Sequence, residues 1–304
     1  MRKTRPCLRA ISFQDRHRAS VFIVKGGLNP LASQASGSQS NRRRDTGKRL
    51  QSRSNALLLK VNLMSNPVAM ELAPTGTLRA AINLANFLLV TGKKTNGDPD
   101  GVAPDLAAAI ADDLAVGIEY VPFATPGELA DAVSDGAWDI GLIGAEPARA
   151  EHIKFTAAYV EIEATYLVLE DSPLKQLEEI DRPGIQIAVS ARSAYDLYLT
   201  RHLKHAKLVR AEGLDASYEL FVREGLDALA GLKPRLLSDV ETLGQARLLE
   251  GQFTAVQQAV GTPADRKESA VYLRSFIETA KTSGLVAQLI SHHQVKGLSV
   301  APLV

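Results

Sequence analysis

The stretch from Asp139 to Tyr159 contains the residue best suited to binding an anion. An apolar strand, Ile140–Ile143, runs into a Gly-Ala turn, and a short helix is predicted to begin at Pro147 and to carry Arg149. A guanidinium just past a strand, beside the free N–H groups of a turn, can bind a carboxylate through two parallel hydrogen bonds. Arg149 is therefore the first candidate ligand contact, while a surface arginine is the alternative that this stretch alone leaves open.

A second candidate, Ser193, stands directly before a predicted helix, Ala194–Leu203. Serine is a favoured N-cap residue, and Asp196 three positions later would complete a capping box. The N–H groups of such a turn can also face an anion. A structural cap and a ligand contact are both open and are compatible with each other.

The pattern of reactive residues favours binding over catalysis. His202 and His205 have no further ligands at metal-site spacing, and His292 and His293 lie near the chain end, so no metal site is predicted. The one cysteine is Cys7, and a Gly-x-Ser-x-Gly elbow is absent. We therefore expect no cofactor and no covalent chemistry.

Charge divides the chain into two parts. Residues 1–66 contain 14 of the 35 Lys and Arg and two of the 34 acids, which leaves 21 basic and 32 acidic residues in the remainder. Residues 1–70 are predicted to be a disordered basic tail, because they are rich in Arg, Ser, Gln and Gly and lack a hydrophobic period. The alternatives are a transit peptide or a translation start at Met64 or Met70. The tail lacks the interleaved aromatic residues typical of nucleic-acid binding, so no nucleic-acid partner is predicted.

The apolar runs are too short for a secretory signal or a membrane span. Val21–Val24 ends at Lys25, and Ala56–Leu59 ends at Lys60. A signal core needs roughly 7–15 apolar residues and a bilayer span about 18. The compartment is therefore not determined by these residues.

From about residue 71, strands and helices alternate, which predicts an α/β fold with a mostly parallel sheet covered on both faces. The alternation restarts after a strand at Glu163–Leu169, and two amphipathic helices, at about 264–281 and 284–293, follow it. We predict two lobes joined by two chain crossings, with a ligand cleft between them. The expected divisions are 1–70 for the tail, 71–164 and 258–304 for lobe one, and 165–257 for lobe two.

Over residues 76–292 the body resembles the family 3 extracellular solute-binding proteins, the polar amino-acid receptors of ABC importers. The resemblance is carried by Leu78–Asn83, Gly101–Leu106, Trp138–Ile140, Glu146–Glu151 with Phe155 and Tyr159, Ile187–Tyr195 and Asp227–Leu229. It implies a periplasmic-binding-protein-like fold, a small-molecule ligand, an importer permease as partner, and a monomer. It also implies a periplasmic location, although the missing signal leaves the cytoplasm open.

The resemblance also assigns roles to residues. Arg149 stands where the family holds the ligand's α-carboxylate, and Ser193 stands at the family's Ser/Thr before a lobe-two helix. Relatives carry an aromatic ring at Asn86, and Ser and Thr at Gly144 and Glu146. These positions, although they depart from the pattern, remain candidate ligand contacts.

The most informative departure is Leu232, where relatives place a carboxylate that binds the ligand's ammonium. A buried ammonium without a partner is costly. Either another acid serves, or the ligand lacks an α-amino group. The acids that could serve are Glu146, Glu161 and Glu163.

Further candidates follow from position in the predicted fold. Asn83 and Asn86 end the first strand and are expected to face the cleft. Gln257 and Gln258 lie in the second crossing, and we take Gln257 as the one that reaches the ligand. The residues expected to pack rather than bind are Phe87, Tyr195 and Tyr198.

We predict a solute-binding protein that captures a small polar carboxylate-bearing ligand, an amino acid or a related organic acid, for an ABC importer. One alternative is an enzyme on the same fold resembling cyclohexadienyl dehydratases, with Glu146 or Glu163 as an acid of raised pKa. Another is a ligand-sensing regulatory module, which the missing signal peptide favours.

Overall fold

The computed structural model describes residues 66–304, so the basic tail lies outside the described residues except at its last positions. There the chain already forms a helix, Pro67–Leu72, whose first N–H groups are capped by the Asn66 side chain. Ala69 and Leu72 are buried in the core. Folded structure is therefore already present before residue 71, the boundary expected from the sequence.

The described chain alternates strands and helices over most of its length. The strands are β1 (Thr77–Asn83), β2 (Gly92–Lys93), β3 (Pro99–Asp100), β4 (Gly117–Phe123), β5 (Ile140–Gly144), β6 (Ile153–Leu169), β7 (Gln186–Ser190), β8 (Lys207–Ala211), β9 (Ala228–Leu232), β10 (Ala246–Leu248), β11 (Thr254–Pro263) and β12 (Ser299–Val300). The helices after Pro67–Leu72 are Val102–Asp113, Pro126–Asp131, the 3₁₀ turn Leu177–Glu179, Ala194–His202, Leu214–Glu224, Lys233–Leu243, Lys267–Thr282 and Leu285–His292.

Ten strands form one sheet with two parallel groups. In the first group β1 lies between β4 and β5, and in the second β7 lies between β8 and β9, with parallel pairing throughout. The antiparallel pair of β6 and β11 joins the groups, because β11 pairs with β5 and β6 pairs with β9. Each group has its own buried hydrophobic clusters. The predicted α/β fold is confirmed, while the exact lobe boundaries remain a prediction.

Two predicted elements differ from the structure. Pro147–His152 forms consecutive turns rather than a short helix, because most of its backbone bonds span only three residues, as in Arg149 N to Glu146 O. The two strands expected around Phe155 and at Glu163–Leu169 are one 17-residue strand, β6. That strand continues because β9, β10, β11 and β12 supply it with hydrogen-bonding neighbours along its length, which local patterns do not reveal. None of the helices in the described part of the chain has the length and apolarity that a bilayer crossing requires.

Gly101, directly before the helix Val102–Asp113, adopts a conformation that L-residues rarely tolerate. Its φ is 146°, and a Cβ there would lie 2.3 Å from Leu89 O and 2.8 Å from the Val90 Cα. Both contacts are with backbone, which cannot move aside as a flexible side chain can. Strain and overpacking each cost about 1–3 kcal/mol, so Gly101→Ala should lower the free energy of unfolding by about 2–5 kcal/mol.

Urea unfolding at equilibrium measures this loss, and Gly97→Ala is the matched control. Gly97 also has a positive φ, 92°, but a Cβ there would meet no atom within 4 Å. The control therefore carries the strain without the clash. Equal losses for the two variants would contradict the steric explanation.

Candidate ligand-binding site

A cavity of about 60 Å³ lies where four parallel strands end. The last residues of β1, β5, β7 and β9 all contribute to its wall, as expected for ligand sites at the carboxyl ends of strands in α/β sheets. Its volume suits a few water molecules or the polar end of a small ligand. The lining residues are Asn83, Ala85, Asn86, Thr125, Pro126, Gly144, Arg149, Ser190, Ala191, Ser193, Ala194, Tyr195, Gly213, Leu214, Leu232, Val256 and Gln258.

Arg149 is the one formally charged side chain in this lining, and it is only 6% exposed. Its Nη1 donates to Gly144 O at 2.6 Å and its Nη2 donates to Arg192 O at 2.8 Å. Burial lowers the pKa of Arg149 to about 10, an effect that Glu146 opposes and the nearby Arg192 reinforces. The Arg149 guanidinium thus donates to two uncharged carbonyl oxygens. An anion bound beside it would stabilise its buried positive charge.

The backbone that meets Arg149 from the second strand group is itself unusual. Arg192 has a φ of 57°, in the left-handed region, and its carbonyl accepts the Arg149 bond. Its N–H donates to the carboxylate of Asp196 at 2.8 Å. Left-handed non-glycine residues cost energy and are concentrated at ligand sites.

Ser193 caps the helix Ala194–His202, because its Oγ accepts from the Asp196 N–H at 3.1 Å. The capping box expected from the sequence is incomplete. The Asp196 carboxylate binds the N–H of Arg192 instead of that of Ser193, since the left-handed turn places Arg192 within reach. Ser193 is buried, lines the cavity, and leaves the helix N-terminus facing the same space.

Two ion pairs connect the strand groups beside the cavity. Arg192 contacts Asp131 at 2.6 Å, and the pKa of Asp131 is lowered by that hydrogen bond. These side chains are 53% and 65% exposed, so the pair contributes about 0–1 kcal/mol. Arg201 binds Glu146 at 2.5 Å. Glu146, predicted as a ligand contact, does not line the cavity.

Gly144 has a steric role at the same junction. A Cβ on Gly144 would lie 3.0 Å from the Cβ of Ala194 and 3.2 Å from Val256 Cγ1. Ala194 belongs to the second strand group, so the absence of a side chain lets the two groups approach closely. A larger residue at this position would have to move Ala194 or Val256 by a few tenths of an ångström.

The two predicted asparagines both reach the cavity. The Asn83 Oδ1 accepts from Ala85 N at 3.2 Å, and the Asn86 Oδ1 accepts from Leu88 N at 3.3 Å. Because each oxygen is used by a local turn, the N–H groups of the amides are the donors available to a ligand.

Of the paired glutamines in β11, Gln258 and not Gln257 lines the cavity. Successive side chains of a strand face opposite sides, and the Gln257 Nε2 donates to Ala255 O instead. Gln258 is 4% exposed, and its Oε1 has no hydrogen-bond partner among the described residues. The sequence contained a signal for this choice. Residues two positions apart in a strand share a face, so the apolar Val256 indicates that Gln258 faces inward with it.

Other lining residues were not expected from the sequence. Thr125 and Pro126 come from a helix entry, and Leu214 comes from the start of another helix. Tyr195, predicted to pack, is buried and lines the cavity as well, and burial raises its pKa to about 12. Tyr198 packs against the core of the second strand group, as predicted, whereas Phe87 is 39% exposed, which contradicts the core packing predicted for it. Neither residue lines the cavity.

None of the described residues that line the cavity is an acid. Glu163 forms an ion pair with Lys233 at 2.5 Å, and Glu161 lines the same surface depression as this pair, separate from the cavity. Leu232, the position at which the sequence resemblance implies a carboxylate in relatives, lines the cavity and is 7% exposed. The site therefore offers one buried cation, amide groups and apolar walls.

The family model of the bacterial extracellular solute-binding proteins, family 3, matches residues 85–295. This chain belongs to that family. The match includes Arg149, Ser193, Leu232 and Gln258, and the periplasmic-binding-protein-like fold expected from the sequence is confirmed.

Three similar proteins carry three different roles on this fold. Cyclohexadienyl dehydratase of Pseudomonas aeruginosa is 22% identical over 250 residues, which cover 78% of this chain and 90% of the enzyme. A substrate-binding protein of an amino-acid ABC transporter from Streptococcus pneumoniae, bound to L-arginine, is 19% identical with a TM-score of 0.59, over 74% of this chain and 98% of that one. A histidine kinase sensor domain is 17% identical with a TM-score of 0.62, over the same shares. At these identities the likeness shows the fold alone.

Proposed function

We propose that this family 3 protein binds a small carboxylate and releases it unchanged. The observation that carries the proposal is Arg149, a buried cation in a cavity whose described lining contains no acid. A buried charge without an ionic partner is costly, and a bound carboxylate would supply that partner. Two-pronged hydrogen bonding from a guanidinium suits a carboxylate geometrically.

The second strand group would complete the anion site. The helix Ala194–His202 has its N-terminus at the cavity, at Ser193. Helix N-termini carry partial positive charge and unpaired N–H groups, which favour anions. A ligand held by Arg149 on one side and by this turn on the other would favour the approach of the two strand groups, which we take to be the two lobes.

The ligand's remaining part should be mainly apolar and should lack an α-ammonium group. Leu214, Leu232 and Val256 supply apolar walls, while the amides of Asn83 and Asn86 supply donors. An ammonium buried here would lie near Arg149 and would find no carboxylate in the described lining. An organic acid therefore fits better than an amino acid of the same skeleton.

We further propose, from family membership, that the loaded protein serves the membrane permease of an ABC importer as a monomer. The sensor domain on the same fold supports the alternative of a regulatory module. In both roles the protein would close on its ligand. The roles differ in the partner that recognises the closed form, a permease for transport or a signalling protein for regulation.

The dehydratase relative supports a second candidate, catalysis in the same cavity. That reading needs an acid at the substrate. The two acids considered for it, Glu146 and Glu163, are held by Arg201 and Lys233 and do not line the cavity. Binding without turnover is therefore the better-supported function.

A thermal-shift screen of residues 66–304 tests the binding role. Each carbon skeleton is supplied as the organic acid, the α-amino acid and the neutral amide. A ligand at 100 times its Kd adds about 2.7 kcal/mol of stability, which corresponds to roughly 5–11 °C for a chain of this size. We expect organic acids to raise the melting temperature and their amides not to do so.

The results of this screen and of an activity assay distinguish the proposed ligand class, the binding role and the enzyme alternative. A response to amino acids alone would contradict the proposed ligand class, and no response to any carboxylate would contradict the binding role. Incubation with prephenate and arogenate, followed by mass spectrometry, tests the enzyme. Turnover above background would contradict the binding-only function and would support a dehydratase activity.

A further inference from the structure

Three potential metal ligands meet outside the ligand cavity. Asp105 lies early in the helix Val102–Asp113, His292 ends the helix Leu285–His292, and His293 follows directly. One nitrogen or oxygen atom of each side chain lies within 4.8 Å of the others. Asp105 and the histidines are almost 190 positions apart, so the sequence, from which no metal site was expected, contains no ligand spacing that would predict this cluster.

We propose that Asp105, His292 and His293 form a binding site for one transition-metal ion of the Zn²⁺ class. Two imidazoles and one carboxylate are a common donor set for zinc, and three protein ligands leave the fourth position to water. The site is independent of the proposed function, because none of its residues lines the ligand cavity.

The hydrogen bonds around Asp105 already orient the carboxylate. Its Oδ1 binds Lys94 Nζ at 2.9 Å, while its Oδ2 lies 2.8 Å from His293 Nε2. Outer-shell contacts of this kind hold a ligand's orientation in metal sites. Lys94 thus occupies one oxygen and leaves the other directed at the histidines.

Small movements would bring the three atoms to metal geometry. Metal–ligand distances near 2.0–2.2 Å place neighbouring tetrahedral ligands about 3.4 Å apart. The 2.8 Å pair must open slightly, and His292, which is exposed, must turn inward. The ion would replace any proton on the coordinating nitrogen of His293, and the neutral ring would then keep its proton on the other nitrogen.

Charge favours particular metals. The Lys94 ammonium offsets the Asp105 carboxylate, so the site has little net negative charge to attract a hard cation. Mg²⁺ and Ca²⁺ depend on oxygen ligands, whereas Zn²⁺, Ni²⁺ and Cu²⁺ bind imidazole well. The proposed site should therefore accept zinc and discriminate against magnesium and calcium.

The test uses protein without a histidine tag and zinc chloride as the probe. Equilibrium dialysis with elemental analysis should find one zinc per chain, and saturating zinc should raise the melting temperature by about 5 °C, reversibly with EDTA. His292→Ala should abolish both effects. Because His292 is exposed and makes no hydrogen bond with its ring among the described contacts, this variant should still fold.

His205→Ala, another exposed histidine, is the matched control and should keep both effects. Lys94→Gln should tighten zinc binding at least threefold, since it removes a competing positive charge and retains a hydrogen-bond donor. Stoichiometric zinc that persists in both His292→Ala and Asp105→Asn would overturn the assignment. Failure of the parent protein to bind zinc would overturn it as well.

Discussion

Arg149→Ala is expected to weaken carboxylate binding at least about tenfold, a loss of about 1.4 kcal/mol or more. The guanidinium is the one charged group in the described cavity lining, and its burial makes each charge-assisted hydrogen bond stronger than it would be in water. Arg149→Lys keeps a charge but loses the planar fork, so it should also bind more weakly than the parent. Calorimetry with the best acid from the screen measures both variants.

Arg192→Ala is the control for this experiment. Its guanidinium pairs with Asp131 outside the cavity, while its backbone carbonyl, which holds Arg149, is retained. Affinity should change less than about fivefold, because exposed ion pairs contribute little. The unliganded melting temperature of each variant shows whether the fold survives. Unchanged affinity in Arg149→Ala would remove this residue from the site.

Leu232→Asp is expected to reverse the ligand preference. Leu232 ends β9 and lines the cavity, and the sequence resemblance implies that relatives place an ammonium-binding carboxylate at this position. A carboxylate there would pair with an α-ammonium and would repel a second anion. The affinity ratio of an amino acid to the organic acid of the same skeleton should rise at least about tenfold, again about 1.4 kcal/mol.

Leu232→Asn separates charge from shape, because asparagine has nearly the same volume as aspartate and no charge. It should leave the ratio within about threefold of the parent value. Leu232→Asp should also lower the unliganded melting temperature, since a buried carboxylate without a partner is costly, and an amino acid should restore it. A parent protein that already prefers amino acids, or a variant whose ratio does not move, would contradict this account.

Local patterns in the sequence determined much of this protein. The alternation of apolar strands and amphipathic helices predicts the α/β fold. Burial of one or both faces of an element imposes a characteristic spacing of apolar residues along the sequence. The ends of those strands located Asn83 and Arg149, since residues that follow a parallel strand meet at one edge of the sheet. Gly144 became a candidate only through the resemblance to the family. The N-cap position of Ser193 is readable from the sequence, because it depends on only a few neighbouring residues, whereas its role as a ligand contact came from the resemblance to the family.

Only the tertiary structure decided which distant groups meet. Glu146 forms an ion pair with Arg201, 55 positions away, and does not line the cavity. Arg149 is therefore the one charged side chain in the described lining. The choice of Gln258 over Gln257 depends on which face of β11 turns inward, and that is set by its register with β5 and β6. Asp105 and the terminal histidines meet because two helices pack together. Such contacts depend on how elements pack after they form, and a local pattern carries no record of that packing.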